Sequence, residues 1–375
     1  MKVETLTLHN FRNYDHCQLA LHPGLNILIG KNAQGKTNLL ESVHFLSTGR
    51  SHRTSSQYDL IRWDTTGFFL HAGVRKRNLK VQIDFSLGAD RRRELKINGI
   101  VERKLSALLG VLNSVLFTPE DLQLLKGPPA LRRRFLDIEL SQVSPVYLYT
   151  LQQYNRALLQ RNNLLRSFDG KATNKIALET WTEQLVRFGV RLTILRQKAL
   201  AALAKHAEPN LYRISGGEEK LQLVYRPWGY ALEFGAGVNE TEVTETFRAI
   251  LEKQHDNELR RRQSLVGPHR DDFVCLLNDI DVREFGSQGQ QRSAVLAIKM
   301  AELEFMREVT GDYPVLLLDD VLSELDASRR QALLGLVDQG IQTLITGTEA
   351  NLFTGWQSKS LLIAEITDGI ISIVQ

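Results

Sequence analysis

Eight consecutive residues, Gly30-Lys31-Asn32-Ala33-Gln34-Gly35-Lys36-Thr37, match the pattern G-x-x-x-x-G-K-S/T in full. Average residue usage would produce such a match in roughly one chain in a hundred of this length. The spacing suits a polyphosphate. Glycines let the backbone curl so that successive N–H groups face phosphate oxygens, and the helix start that follows adds partial positive charge. Lys36 would then reach the β- and γ-phosphates of a nucleotide, and the Thr37 hydroxyl would bind Mg²⁺. That chemistry needs a second, acidic element, and Val315-Leu316-Leu317-Leu318-Asp319-Asp320 supplies one: four apolar residues ending in two acids. Asp319 would complete the Mg²⁺ shell, and Asp320 would stand beside the γ-phosphate as base for the attacking water. A core strand ending in a polar turn would account for one acid but does not ask for two.

The elements that must position these groups follow from the pattern around them. Leu25 to Ile29 reads as the strand before the phosphate loop and Asn38 to Val43 as the helix after it. Short strands are predicted at Leu6–Leu8, Phe68–Val74, Lys80–Leu87 and Glu94–Ile97, the last closed by the hairpin signal Asn98-Gly99. After Thr118-Pro119-Glu120-Asp121, a helix start, the period turns helical. One apolar seam runs Leu178, Trp181, Leu185, Phe188, Leu192, Leu195, Ala199, Ala202, and a weaker one Leu148, Leu151, Asn155, Leu158, Asn162, Leu165. Joined through 167–174, two helices of about 20 to 30 residues would form an antiparallel hairpin, either an extended arm or part of an ordinary bundle. Lys36 and Asp319 stand 283 positions apart, more than a nucleotide core needs. The expectation is an α/β P-loop head with a mixed sheet, discontinuous over 1–118 and 263–375, carrying a mainly helical insertion over 119–262.

The chain has 375 residues, with 47 Lys and Arg against 43 Asp and Glu. Residues 301–375 hold 4 of the basic and 12 of the acidic residues, leaving 43 and 31 in 1–300. A basic body with an acidic end fits a polyanionic partner, although solvated Arg-rich helices would give the same count. Ten basic residues, Arg75, Lys76, Arg77, Lys80, Arg91, Arg92, Arg93, Lys96, Arg103 and Lys104, face four acids within thirty positions on the strand-rich lobe. They could track a nucleic-acid backbone without reading sequence. Arg132-Arg133-Arg134 and Arg260-Arg261-Arg262 are either exposed helix faces or covers for a partner. Two cysteines, Cys17 and Cys275, make no disulfide framework or metal spacing, which points to a reducing cytoplasm. No apolar run approaches the ~18 residues of a membrane span, so no membrane association is expected.

Further segments carry a resemblance. Asn10-Phe11-Arg12-Asn13-Tyr14, Gly30 to Glu41, Ser51-His52-Arg53, Gly267-Pro268-His269-Arg270-Asp271, Gly286 to Arg292 and Asp319 through Asp326 resemble, in order, those of ABC-type ATPase heads of the SMC kind, and within that group the RecF family. The resemblance implies an ABC-type head whose signature loop completes the site of a second subunit. Ser287-Gln288-Gly289-Gln290 is the better match to that loop, because it opens a helix and directly precedes the acidic strand, whereas Ser215-Gly216-Gly217-Glu218 leads into a strand. Two chains would then sandwich two ATP molecules, each held by Lys36 of one subunit and capped by Ser287 and Gln290 of the other. Ser323 to Asp326 resembles the loop that crosses such an interface.

Two departures imply slow turnover, suited to a switch: Asp320 replaces the usual catalytic Glu, and Thr343 to Thr348 stands where a switch His is expected. Glu120 is the best positional match to the Q-loop. By resemblance the chain would act as a weak, DNA-stimulated ATPase and clamp on gapped or junction DNA, with RecO and RecR, helping RecA load in DNA repair, replication and the SOS response. His52, Arg53, His269 and Arg270 read as structural rather than metal-binding. The competing readings are the ATPase subunit of a transporter, which would require a Q-loop Gln and a switch His, or of a nuclease complex, which would require a further acidic metal cluster.

Overall fold

Near-continuous apolar runs form the buried strands of a parallel sheet, and alternating runs form a sheet with one wet face. Both occur here, in a computed structural model that describes residues 1–217, 219–229, 239–337, 340–348 and 361–375. Contacts divide the chain into two compact units, Met1–Asp121 with Lys299–Gln375, and Leu122–Ile298.

In the first unit a six-stranded sheet runs in the order Ile370–Ile373, Leu361–Thr367, Leu25–Ile29, Thr343–Gly347, Val315–Leu318, Ser114–Phe117. All neighbours are parallel except the outer hairpin formed by the first two. A second, antiparallel sheet orders Tyr14–Ala20, Lys2–Phe11, Gly67–Lys76, Leu79–Gly88, Arg93–Ile97, Ile100–Glu102. Lys2–Phe11 alternates along its length, burying Val3, Leu6, Leu8 and Phe11. The helix Lys36–Thr48 shares one core with both sheets, and Phe45 packs edge-on against Phe85 at 4.9 Å. Every residue from Leu39 to Thr48 is buried, so this helix is not amphipathic. Three of its hydroxyls are satisfied locally: those of Ser42, Ser47 and Thr48 donate to carbonyls one turn back. A helix gripped on all sides holds its N-terminus in one place.

The second unit contains the helices Pro129–Val143, Pro145–Arg166, Ala172–Ser215 and Glu240–Arg261, and a three-stranded sheet of Leu221–Arg226, Asp272–Leu277 and Ile280–Asp281. By contact, residues 263–298 lie here, where Asp272–Leu277 pairs with Leu221–Arg226; the sequence division returned to the head at 263. The helices pack as a bundle, and two features of the seam reading change. Ala172–Ser215 has 44 residues, about 66 Å at 1.5 Å per residue, longer than the 20 to 30 expected, and its N-terminal partner ends at Arg166. The buried stripe of Pro145–Arg166 is Tyr147, Thr150, Tyr154, Ala157, Arg161 and Leu165, one position before most of the apolar seam. Polar side chains occupy it because partners wait for them. Arg161 reaches Glu258 at 2.7 Å, Ser264 at 2.8 Å and Thr182 at 2.9 Å. Arg196, fully enclosed, reaches Asp137, Asp271, the Pro268 carbonyl and Tyr147.

Candidate nucleotide site

The phosphate loop leaves the sheet between two parallel neighbours and enters the buried helix. Gly30 has φ 151°, and a Cβ there would stand 2.3 Å from the Ile366 carbonyl oxygen; only glycine fits. Two turns clamp the loop from outside. Asn13 Nδ2 donates to the Gln34 carbonyl at 2.9 Å, and Tyr14 OH donates to that of Gly35 at 3.0 Å. From the opposite hairpin, the Asp368 and Gly369 amides donate to the Gln34 side chain at 2.7 Å and its carbonyl at 3.0 Å. These clamps use carbonyls and side chains, which leaves the N–H groups of the helix start for an anion. Lys31, Asn32 and Ala33 are exposed, and Lys36 is buried. The Lys36 ammonium donates to the Gly30 carbonyl at 2.6 Å and that of Lys31 at 2.8 Å. Burial pulls its pKa below the ordinary lysine value, against the opposing pull of Asp320 and Asp319.

Asp319 ends the central strand Val315–Leu318 and meets the loop helix directly: its Oδ1 accepts from Thr37 Oγ1 at 2.9 Å. The same oxygen accepts from Thr346 Oγ1 at 3.0 Å, and Thr346 Oγ1 accepts the Asp320 amide at 2.8 Å. Burial raises the Asp319 carboxyl above the usual range, resisted by the hydroxyls of Thr37 and Thr346 and by His52. A hydroxyl and an enclosed carboxylate are hard oxygen donors of the kind Mg²⁺ takes, so these residues fit the ion. Asp320 adopts φ 53°, a left-handed turn that Asp tolerates, and Ser323 Oγ donates to its carbonyl at 2.8 Å.

A third layer escaped the sequence reading of roles. Glu41, fully buried, receives Arg12 in a two-pronged contact at 2.8 Å, and also the Ser51 hydroxyl and, at 3.7 Å, Arg53. Burial pushes its carboxyl up, but Arg12 and Ser51 together hold it below the usual range. Asn38 links the groups, donating to Asn13 at 2.7 Å and accepting from Arg53 at 2.8 Å. His52 lies nearby with its Nδ1 buried and without a hydrogen-bond partner among the described residues, lowered in pKa by burial against the pull of Glu41 and Asp319.

Ser287 and Gln290 form a reciprocal cap at the start of the helix Gln288–Thr310. The Ser287 amide donates to Gln290 Oε1 at 2.9 Å, and the Gln290 amide to Ser287 Oγ at 3.2 Å. Ser287 and Gln288 are exposed, Gly289 and Gln290 half-buried, and Gln290 Nε2 also donates to Glu219 at 2.9 Å. By contrast Ser215 ends the long helix, with Gly216 and Gly217 in left-handed conformations closing it onto the Tyr212 carbonyl. A helix C-terminus presents carbonyls, the wrong polarity for phosphate. Glu218 lies outside the described residues.

The whole-chain comparisons agree with this geometry. The family model described as RecF/RecN/SMC N terminal domain matches residues 2–371. The chain is 42% identical over 369 residues to the DNA replication and repair protein RecF of Halalkalibacterium halodurans, covering 98% of each, and 46% identical over 353 residues to that of Symbiobacterium thermophilum, covering 93% of this chain and 92% of the relative. This chain belongs to the RecF family. A solved structure of the recombination mediator RecF with ATP, in the RecFOR pathway, superposes with a TM-score of 0.90 at 35% identity, covering 100% of this chain and 97% of that one. A Pyrococcus furiosus Smc head, at 15% identity and TM-score 0.55, shares the fold. The α/β ABC-type head with a helical second part is therefore the fold of this RecF-family chain.

Other sequence expectations take definite places in it. Asp326 caps the helix Ala327–Val337 by accepting the Arg329 amide at 2.9 Å. Glu120 is exposed just beyond the strand Ser114–Phe117, next to the acidic strand. Of the ten basic residues on the strand-rich lobe, Arg75, Lys76, Arg77, Arg92 and Lys96 have protein partners. Lys80, Arg91, Arg93, Arg103 and Lys104 are exposed. His269 is structural: Nδ1 lies 2.6 Å from Tyr154 OH and Nε2 3.1 Å from the Ser264 carbonyl. Among the described residues no helix is long and apolar enough to cross a membrane, and no group of three or more His, Cys, Asp or Glu is arranged to hold a metal.

Proposed function

We propose that this chain binds ATP and Mg²⁺ at the Lys36–Asp319 site, and that ATP closes two copies into a clamp on gapped or junction DNA. The observation that carries the reading is the triad of Thr37, Asp319 and Thr346, which brings the phosphate loop, the acidic strand and the next parallel strand to one oxygen. Gly30 to Thr37 would hold the phosphates, and Thr37 and Asp319 would hold Mg²⁺, which would offset the phosphate charge when bound. Asp320 accepts the proton of the attacking water, and as a shorter acid than Glu it turns over slowly. Ser287, Gln288, Gly289 and Gln290, exposed or half-exposed at a helix start, cap the γ-phosphate of the second subunit. In this reading the ATPase head takes in 1–118 and 263–375 by function and the insertion spans 119–262, the head's segment 263–298 being the part that packs with the second unit. As its relatives are recombination mediators of the RecFOR pathway, it acts in the cytoplasm beside RecO and RecR in loading RecA.

Light scattering on wild type, Lys36→Arg and Ser287→Arg, with and without ATP, Mg²⁺ and a gapped duplex, tests this. The wild type should double in mass with ATP, and Ser287→Arg should bind ATP yet stay monomeric. A wild type that binds ATP and keeps its mass on every DNA contradicts the clamp.

A further inference from the structure

The two arginine triplets that the sequence left between exposed helix faces and a partner surface separate in the structure. Arg132 is buried and fully committed: it grips Asp272 at 2.5 and 3.0 Å and donates to the carbonyls of Leu124, Leu125 and Gly127. Its neighbour Arg133 faces a different way, into a cleft of about 630 Å³ that is also lined by Arg261 and Arg270. No carboxylate is among the described residues that line it. Arg261 and Arg270 are exposed, and neither side chain has a hydrogen-bond or ion-pair partner among the described residues. One Arg133 nitrogen donates to the Asp271 carbonyl at 2.7 Å, which aims the guanidinium; the carboxylates of Asp271, Asp272 and Asp137 also attract it, but each is bonded to Arg196 or Arg132.

Three guanidinium groups from three separate stretches of chain repel one another in one cleft unless an anion joins them. Gln254, Asn257 and Arg261 line it from one helix at spacings of three and four, a single face. The seven steps from Gln254 to Arg261 rise about 10 Å, close to three nucleotides at about 3.4 Å each along one strand. A protein interface would want buried apolar or aromatic anchors. Here Trp228, the only aromatic among the described lining residues, is 1% exposed and stacked on Phe247, so it offers none.

We infer that this cleft of the second unit seats the phosphodiester backbone of DNA, about three nucleotides of one strand, as a contact separate from the strand-rich lobe. The inference rests on the DNA-clamp reading and adds to it where the helical part touches DNA. Phosphates would be gripped by Arg133, Arg261 and Arg270, with Gln254 and Asn257 between them, and the bases would go unread.

The test is fluorescence anisotropy of a labelled gapped duplex with the full chain, ATP and Mg²⁺ from 50 to 300 mM salt, on wild type and on Arg261→Glu/Arg270→Glu. Both positions are exposed, and circular dichroism together with the ATP-driven mass change checks that the variant folds and assembles. The expected result is affinity lower by roughly 10- to 100-fold at low salt, with the slope of log K against log salt shallower by about 2. A variant with wild-type affinity and slope overturns the inference; if it has instead lost binding of a labelled poly-glutamate peptide, the cleft takes an acidic protein segment. A variant that no longer doubles its mass also overturns it, since its DNA defect then belongs to assembly. If the wild type itself binds no DNA, the clamp reading fails and this contact fails with it.

Discussion

Thr346 places both acids of the nucleotide site with one hydroxyl, donating to Asp319 at 3.0 Å and accepting the Asp320 amide at 2.8 Å. It is not expected to touch phosphate, so its effect should run through the metal. Thr346→Val keeps the shape and strand preference and removes both bonds. ATP affinity in Mg²⁺ should fall about 10- to 100-fold, the usual cost of losing a group that orients a metal ligand, while Thr346→Ser should retain it. Calorimetric titration with and without Mg²⁺ checks this; an equal loss in the absence of the metal would show that Thr346 serves the loop rather than the ion. In the sequence Thr346 is one more β-branched residue in a buried strand. Nothing local marks it, because its partners stand 26 and 27 positions away.

The loop Gly267–Asp271 joins several elements and carries a pH dependence. His269 bridges the Tyr154 hydroxyl and the Ser264 carbonyl, an arrangement that suits a neutral ring with its proton on Nε2. Burial depresses its pKa from 6.5 to about 4. Between those values the unfolded chain takes up a proton that the folded loop refuses. Stability from this group is therefore complete above about pH 6.5 and is lost as pH falls through about 4, by about 3 kcal/mol in all. Urea unfolding at several pH values should show wild type losing that stability and His269→Gln losing less over the same window; parallel curves would remove His269 as the cause. The helices were legible at this scale, but their facing was not. Tyr147, Tyr154 and Arg161 lie in the buried stripe because hydroxyls, carboxylates and carbonyls from distant segments satisfy them, and an apolar pattern is blind to such partners.

For the molecule as a whole, ATP that binds only the folded state should raise the melting temperature. At a hundred times its dissociation constant the gain is about 2.7 kcal/mol, and scanning calorimetry should find it in the wild type with Mg²⁺ and not in Lys36→Ala; an equal rise in that variant would place ATP elsewhere. By itself the sequence determined that a phosphate loop stands between a strand and a helix, that an acidic pair ends another strand, and that a long, basic, helical stretch separates them. Those features are readable because their chemistry sits in contiguous residues whose spacing matches a period or a turn. Tertiary structure alone decided that Thr37, Asp319 and Thr346 meet at one oxygen, that Glu41 is charged and buried between Arg12 and Ser51, and that Arg133, Arg261 and Arg270 share a cleft while Arg132 does not. Each depends on how far-separated segments pack, and two neighbouring arginines carry no mark in the sequence of which one will find a carboxylate and which will face solvent.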